Sequence, residues 1–72
     1  MMTTYKEGAK VQWDWASGTA TGKVETVYTE DVTRKIKGTE VKRKASKDEP
    51  AYYIKQDDGD GVLKSHSEVK KA

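Results

Sequence analysis

Turn-forming residues recur along this chain, and no segment between them carries the apolar pattern of a helix. Glycine stands at positions 8, 18, 22, 38, 59 and 61, and the only proline is at position 50. Between these residues the apolar side chains do not keep a helical period over ten positions. They alternate instead with polar side chains over short runs, which is typical of β-strands. In KVQWDW, for example, Val11, Trp13 and Trp15 share one face of the predicted strand.

Several such runs follow one another, and each is bounded by a turn. KVETVYT carries Val24 and Tyr28 on one side and Val27 on the other, and AYYIKQ alternates in the same way. Lys37-Gly38 is the predicted tip of a hairpin between VTRKI and EVKRKA, and Gly22 indicates a bulge or a sharp bend. Five or six short strands over about 60 residues predict an all-β fold. We expect a small five-stranded SH3-like barrel, with at most a short helical turn near the C-terminus.

The length of the chain allows one domain and a modest core. With 72 residues and no cysteine, it must be held together by apolar packing, by self-association, or by both. We expect a single domain over 1–72, with the barrel at about 8–71 and flexible tails at 1–4 and 71–72. No run approaches the ~20 apolar residues of a membrane span, and the first ten residues show no apolar signal-peptide region, so we expect no signal peptide. The sequence favours a cytoplasmic monomer that does not bind membranes.

Positive charge is concentrated in one segment, although the net charge is only +2. A predicted hairpin and the residues after it carry a candidate basic patch, which comprises Arg34, Lys35, Lys37, Lys42, Arg43, Lys44 and Lys47. One interpretation is a solvated loop or edge strand, in which lysine prevents edge-to-edge pairing with another sheet. The other is a local surface for an anionic partner.

Five features together resemble a known family. They are VQW after a glycine, TGKV in the second strand, the predicted hairpin at Lys37-Gly38, KASKDEPAYYIK, and the closing SEVKK. They are similar to the hypervirulence-associated Tudor-like domains, small bacterial and fungal proteins, over roughly residues 8–71. The resemblance implies a Tudor-type, SH3-like barrel, and for the bacterial members it implies no specific function. The family often has a His-Lys pair near the last strand, where this chain has LKSH, so His66 is not its equivalent.

The sequence contains few residues of the kinds that support catalysis or bind a metal ion. His66 is the only histidine, and its neighbours Ser65 and Ser67 would point away from it on an extended strand, so we expect a solvated histidine. DDGDGVLKSHSE lacks the ligands and the glycine that a calcium loop requires. We therefore expect no enzyme, no cofactor and no metal site.

Aromatic residues offer the remaining candidates for a binding site. Trp13 lies mid-strand and is expected in the core, whereas Trp15 lies at the strand end, where a barrel opens to solvent. In Tudor-type barrels, aromatic rings at that end form a cage for methylated lysine or arginine. The resemblance thus implies a candidate ligand site of Trp15, Tyr28 and Tyr53 with Asp14 or Asp48.

Three functions stay open at this point. We expect an interaction module that binds through the barrel end near Trp15 and the basic hairpin at 34–47. Its partner is unknown, and a protein or peptide ligand is possible. One alternative is a nucleic-acid-binding domain in which the basic hairpin contacts phosphates. The second alternative is a structural subunit or homo-oligomer that is completed through an edge strand.

Overall fold

The strands form almost where the sequence predicts them. A computed structural model describes residues 4–15, 17–57 and 59–72. In chain order its elements are β1 (Lys10–Trp15), β2 (Gly18–Tyr28), β3 (Val32–Ile36), β4 (Thr39–Arg43), β5 (Ala51–Gln56), β6 (Gly61–Ser65), a 3-10 turn (His66–Glu68) and β7 (Lys70–Lys71). The all-β prediction is confirmed, including the short turn near the C-terminus.

The strands of the described residues are arranged in two sheets. Five of them form an antiparallel sheet in the order β6-β5-β2-β1-β7, and β3 pairs with β4 as a separate hairpin. At the hairpin tip Lys37 and Gly38 both have positive φ, 52° and 79°, as a tight two-residue turn with the right-handed twist of the strands requires. The predicted hairpin tip is therefore confirmed.

The predicted five-stranded barrel is confirmed only in part. Among the described residues no pairing joins β6 to β7, so the five-stranded sheet does not close. Two features account for the open edges. β7 is only two residues long, and the β3–β4 hairpin, inserted between β2 and β5, contacts β6.

The hydrophobic core lies on one face of the five-stranded sheet, which we call the core face. Directly paired residues of antiparallel strands project to the same side, and the pairing joins Trp13 to Ala20 and Val24 to Ile54. The buried cluster consists of Val11, Trp13, Val24, Tyr52, Ile54 and Val69. Trp13 is only 4% exposed, as expected of a core residue.

The opposite face of the sheet is partly covered by the β3–β4 hairpin, and we call it the hairpin face. Here Tyr53 pairs with Leu63, and Leu63 is buried. The Arg34 guanidinium lies 3.7 Å from the centroid of the Tyr53 ring and donates a hydrogen bond of 2.8 Å to the Tyr28 hydroxyl. One arginine therefore attaches the hairpin to two aromatic side chains of the sheet.

A bulge in β2 reverses which residues face the core. The register shifts between Val24 and Thr26, so Val27 pairs with Tyr52 and packs against the core. Simple alternation placed Val24 and Tyr28 on one side, and that prediction is wrong beyond the bulge because one extra residue inverts the phase.

Gly22 is not the site of the bulge that its position suggested. It is buried and regularly paired with Val11 and Gln56. A Cβ at this position would lie 2.7 Å from Ile54 Cγ2. Glycine is needed here because β5 approaches the β2 backbone closely.

The predicted flexible tails are described only in part. Part of the N-terminal tail, residues 1–3, lies outside the described residues. At the other end Lys71 pairs with Val11, and the N–H of Ala72, which follows β7, donates to the Lys10 carbonyl at 3.2 Å. The flexibility of both ends stays a prediction. None of the helical segments in the described ranges is long and apolar enough to cross a membrane.

Candidate functional site

An open groove on the core face begins at the end of β1. Trp15 is 58% exposed, and among the described residues it is the one large apolar side chain left so open to solvent. Its directly paired residue is Gly18, which has no side chain to cover the indole. The groove has a volume of about 420 Å³ and is lined by Trp13, Trp15, Thr19, Ala20, Gln56, Val62 and Lys64.

The groove is amphipathic, with one cationic residue. Trp13, Ala20 and Val62 supply apolar surface beside Trp15, and among the described lining residues Lys64 alone is charged. The Lys64 Nζ lies 3.9 Å from a Glu68 oxygen, at the outer limit of an ion pair. This geometry leaves the ammonium able to reach a second acceptor.

A ring cluster closes the other end of the core face. The fully buried Tyr52 hydroxyl accepts a hydrogen bond of 3.1 Å from the Tyr5 N–H and makes a second one, of 2.8 Å, with His66 Nδ1. The ring of Tyr5 packs against both partners, at centroid distances of 5.7 Å from Tyr52 and 5.2 Å from His66. Burial raises the pKa of Tyr52 above its usual 10.0, although the Tyr5 N–H opposes the shift.

His66 therefore differs from its predicted role as a solvated side chain. It is half-buried and tied to a core tyrosine. The reason is that the His66 N–H also donates to the Pro50 carbonyl at 2.8 Å, which draws the 3-10 turn onto the start of β5. The histidine thus has a structural place in the fold.

Glu68 joins the hairpin to the 3-10 turn. Its Oε1 accepts hydrogen bonds from the Ser65 N–H at 2.9 Å and from Arg43 Nε at 3.1 Å. Burial by itself would raise the pKa of this carboxyl group. The Ser65 N–H and the charges of Arg43 and Lys64 outweigh it, so the pKa is lowered below its usual 4.5.

The sequence of the chain matches a known protein family. Residues 8–69 match the family described as hypervirulence associated proteins TUDOR domain. The chain belongs to this family. No curated protein and no solved structure matches it. The family resemblance drawn from the sequence is confirmed, and the match covers every strand of the TUDOR domain except β7.

The rings proposed for an aromatic cage do not converge in this TUDOR domain. Trp15 projects from the core face, since Trp13 and Trp15 stand two residues apart on β1. Tyr53 and Tyr28 project from the hairpin face, where Arg34 contacts both. The expected cage of Trp15, Tyr28 and Tyr53 is therefore not assembled, because the β2 bulge and the alternation of β5 direct the two tyrosines away.

The two candidate carboxylates do not line the Trp15 groove. Asp14 projects to the hairpin face, and its Oδ1 accepts a hydrogen bond of 3.4 Å from Oγ1 of Thr19, which does line the groove. Asp48 lies exposed in the connection between β4 and β5. The charged side chain in the described lining is therefore Lys64, and the nearer of the two carboxylates is held beside the groove by Thr19.

The candidate basic patch is divided between the two faces of the hairpin. Arg34 and Arg43 turn inward and are engaged by Tyr53 and Glu68. Lys37 at the tip forms an ion pair of 2.7 Å with Asp60. The remaining members, Lys35, Lys42, Lys44 and Lys47, are exposed.

Near the base of the hairpin, basic and acidic side chains meet. A shallow groove of about 350 Å³ is lined by Asp31, Val32, Thr33, Lys42, Arg43 and Lys44. Asp31 Oδ1 accepts a hydrogen bond of 3.1 Å from the Ala45 N–H. The carboxylate reduces the positive field that the sequence expected here, so binding through this patch stays a prediction.

Five groove residues were not predicted from the sequence: Thr19, Ala20, Gln56, Val62 and Lys64. The alternation in GVLKS does place Val62 and Lys64 on one face of β6. The sequence did not reveal the strand order. In the sheet, β6 lies beside β5, β5 beside β2 and β2 beside β1, which places Val62 and Lys64 on the same face as Trp15.

Proposed function

We propose that this TUDOR domain is a non-catalytic interaction module of SH3-like type that binds an extended peptide in the groove beside Trp15. The single observation that carries the proposal is the 58% exposure of Trp15 in a domain with few large apolar residues. Tryptophan is among the residues that contribute most to binding when a partner covers them. The groove volume of about 420 Å³ falls within the range typical of ligand sites.

The charge of the groove favours one class of peptide. Lys64 is the charged side chain in its described lining, beside the neutral Gln56. A trimethyl-lysine side chain would meet a cation and a single exposed ring, which is unfavourable for a cage. A peptide with an apolar side chain next to a glutamate or aspartate would cover the indole and pair with Lys64.

A catalytic role has little support in the same geometry. The single histidine is held by Tyr52, whose hydroxyl is buried. Among the described residues, no three His, Asp or Glu side chains cluster in a way that would hold a metal ion. The cytoplasmic location and monomeric state that the sequence favours remain predictions.

Tryptophan fluorescence of the whole chain tests the proposal. The probes are three short peptides of the same length: one with leucine flanked by glutamates, one with leucine flanked by lysines, and one with trimethyl-lysine. We expect the first peptide to shift the emission of Trp15 to shorter wavelength, because binding removes the indole from water. The response should saturate, and it should vanish in Trp15→Ala.

Two lysine variants separate the groove from general charge effects. Lys64→Gln should weaken binding of the glutamate peptide several-fold, and Lys42→Gln, an exposed lysine outside the groove, should leave it unchanged. Tighter binding of the trimethyl-lysine peptide would contradict the proposal. Equal weakening by both variants would also contradict it, since the effect would then come from net charge.

A further inference from the structure

Three lysines from distant parts of the sequence stand side by side on the hairpin face. Lys10 pairs directly with Lys23, and Lys23 pairs directly with Lys55. Directly paired residues of an antiparallel sheet project to the same side with Cβ atoms about 5 Å apart. All three are exposed. We call this set the lysine row; it crosses β1, β2 and β5 and is about 10 Å long.

The row is extended toward β7. Lys70 is exposed and pairs with Gln12, which places it on the same face and diagonal to Lys10. Gln12 pairs with Thr21 in the neighbouring position along the strands. A surface of cations with adjacent amide and hydroxyl groups results, and none of its residues belongs to the basic hairpin segment.

Stability does not explain this arrangement. Like charges directly opposite each other in a sheet are destabilising, and here two such pairs are adjacent. The ion pairs among the described residues involve Lys37, Arg43 and Lys64, not the row. Along the chain, Glu25 stands two residues from Lys23 and Asp57 two residues from Lys55, about 7 Å of extended backbone in each case.

The residues around the lysine row indicate which class of anionic partner it suits. The hairpin covers the β5–β6 side of this face, where the Tyr53 ring is stacked with Arg34, so no ring is offered to an unpaired base. Trp15, the exposed large apolar side chain of the described residues, projects from the other face. Among the described residues of this face, a membrane surface would therefore find no exposed large apolar side chain to insert beside the lysines.

We propose that the lysine row binds the sugar-phosphate backbone of double-stranded nucleic acid without reading its sequence. Each strand of a duplex presents one phosphate per about 3.4 Å of axis, so a row of about 10 Å spans about three phosphates. Lysine ammonium groups supply the charge, and Gln12 and Thr21 donate neutral hydrogen bonds to phosphate oxygens. This site is separate from the Trp15 groove, on the opposite face of the sheet.

Fluorescence anisotropy with a labelled DNA duplex of about 20 base pairs, titrated between about 50 and 200 mM NaCl, tests the proposal. Three phosphate contacts predict that log K falls with log [NaCl] with a slope of about −2.7. The triple variant Lys10→Gln, Lys23→Gln, Lys55→Gln should lose about tenfold or more in affinity at low salt, and the slope should approach zero.

The matched control neutralises three exposed lysines of the basic segment: Lys42→Gln, Lys44→Gln, Lys47→Gln. Both triple variants lower the net charge by the same amount, so their comparison isolates position from total charge. The control should bind within about twofold of the parent. Circular dichroism should show that the row variant melts no lower than the parent, because it relieves repulsion between paired lysines.

Three results would overturn the inference. One is a parent protein that does not bind the duplex at about 50 mM NaCl. Another is equal loss in the two triple variants, which would indicate a response to net charge alone. The third is row-dependent binding to vesicles that contain phosphatidylglycerol at an affinity matching that for the duplex, which would indicate a lipid surface instead.

Discussion

Two tryptophans on one face of β1 should lose very different amounts of stability on the same substitution. Trp13 is 4% exposed and Trp15 is 58% exposed. A buried tryptophan removes about 200 Å² from water, which is worth about 5 kcal/mol at about 25 cal/mol per Å². Since alanine retains a small part of that burial, Trp13→Ala should cost about 4 kcal/mol, within the range known for core aromatics.

The same arithmetic gives a much smaller cost for Trp15→Ala. With about two fifths of its surface buried, Trp15 contributes at most about 2 kcal/mol, and no closed cavity is left behind. A domain of this size has a total stability of only about 3–5 kcal/mol. Trp13→Ala should therefore be largely unfolded at room temperature, and Trp15→Ala should remain folded.

Far-ultraviolet circular dichroism first shows whether each variant is folded without denaturant. For a variant that is folded, urea denaturation then gives the midpoint, and a denaturant slope equal to the parent's shows that the midpoint reports stability. The reasoning is refuted if Trp15→Ala lowers the free energy of unfolding as much as Trp13→Ala does. Trp15 would then be covered by other parts of the chain, and the groove would not be open.

Three further substitutions or conditions test the packing. Gly22→Ala should destabilise the domain by more than about 1 kcal/mol, because the new Cβ would stand 2.7 Å from Ile54 Cγ2; a melting temperature equal to the parent's would contradict the close approach of the strands. Tyr52→Phe should lower the free energy of unfolding by about 1–2 kcal/mol, because the hydrogen-bond partners of the buried hydroxyl, among them His66, lose that bond; thermal unfolding measures the change. The pKa of Glu68 is lowered below 4.5 in the folded protein. Its carboxylate should therefore stabilise the domain above pH 4.5, and this contribution should be lost as the pH falls through the lowered pKa. The free energy of unfolding should thus decline less steeply with acid in Glu68→Gln than in the parent.

Local alternation was enough to predict most strands and the main turn. KVQWDW becomes β1 with the predicted phase, and Lys37-Gly38 becomes the hairpin tip, because both depend on neighbouring residues alone. The location of Trp15 at an exposed strand end is predictable for the same reason. The family match over residues 8–69 agrees with these local patterns.

Predictions that depended on more distant relations were incomplete. The bulge between Val24 and Thr26 inverts the phase of β2. These positions contain no glycine, the residue that often marks a bulge in a sequence. Tyr28 consequently turns to the hairpin face, and the expected cage is not formed. One inserted residue in a strand is enough to separate side chains that alternation places together.

The lysine row shows a second limit of sequence reasoning. Lys10, Lys23 and Lys55 belong to three different strands, and an inserted hairpin separates the second from the third. Their alignment depends on the register of two strand pairs, β1–β2 and β2–β5. A search of the sequence for runs of basic residues carries no information on that register. Such a search finds the hairpin lysines instead, because they are neighbours in the chain.

Amide and indole chemical-shift mapping of the labelled domain tests the central claim that the two faces of one sheet carry two separate sites. The glutamate-flanked leucine peptide should shift the Trp15 indole and the amides of Ala20 and Val62. A DNA duplex added to a second sample should shift Lys23 and Lys55 and leave the Trp15 indole in place. If both ligands shift the same residues, or if the changes lie on the β3–β4 hairpin, the assignment of these sites is contradicted.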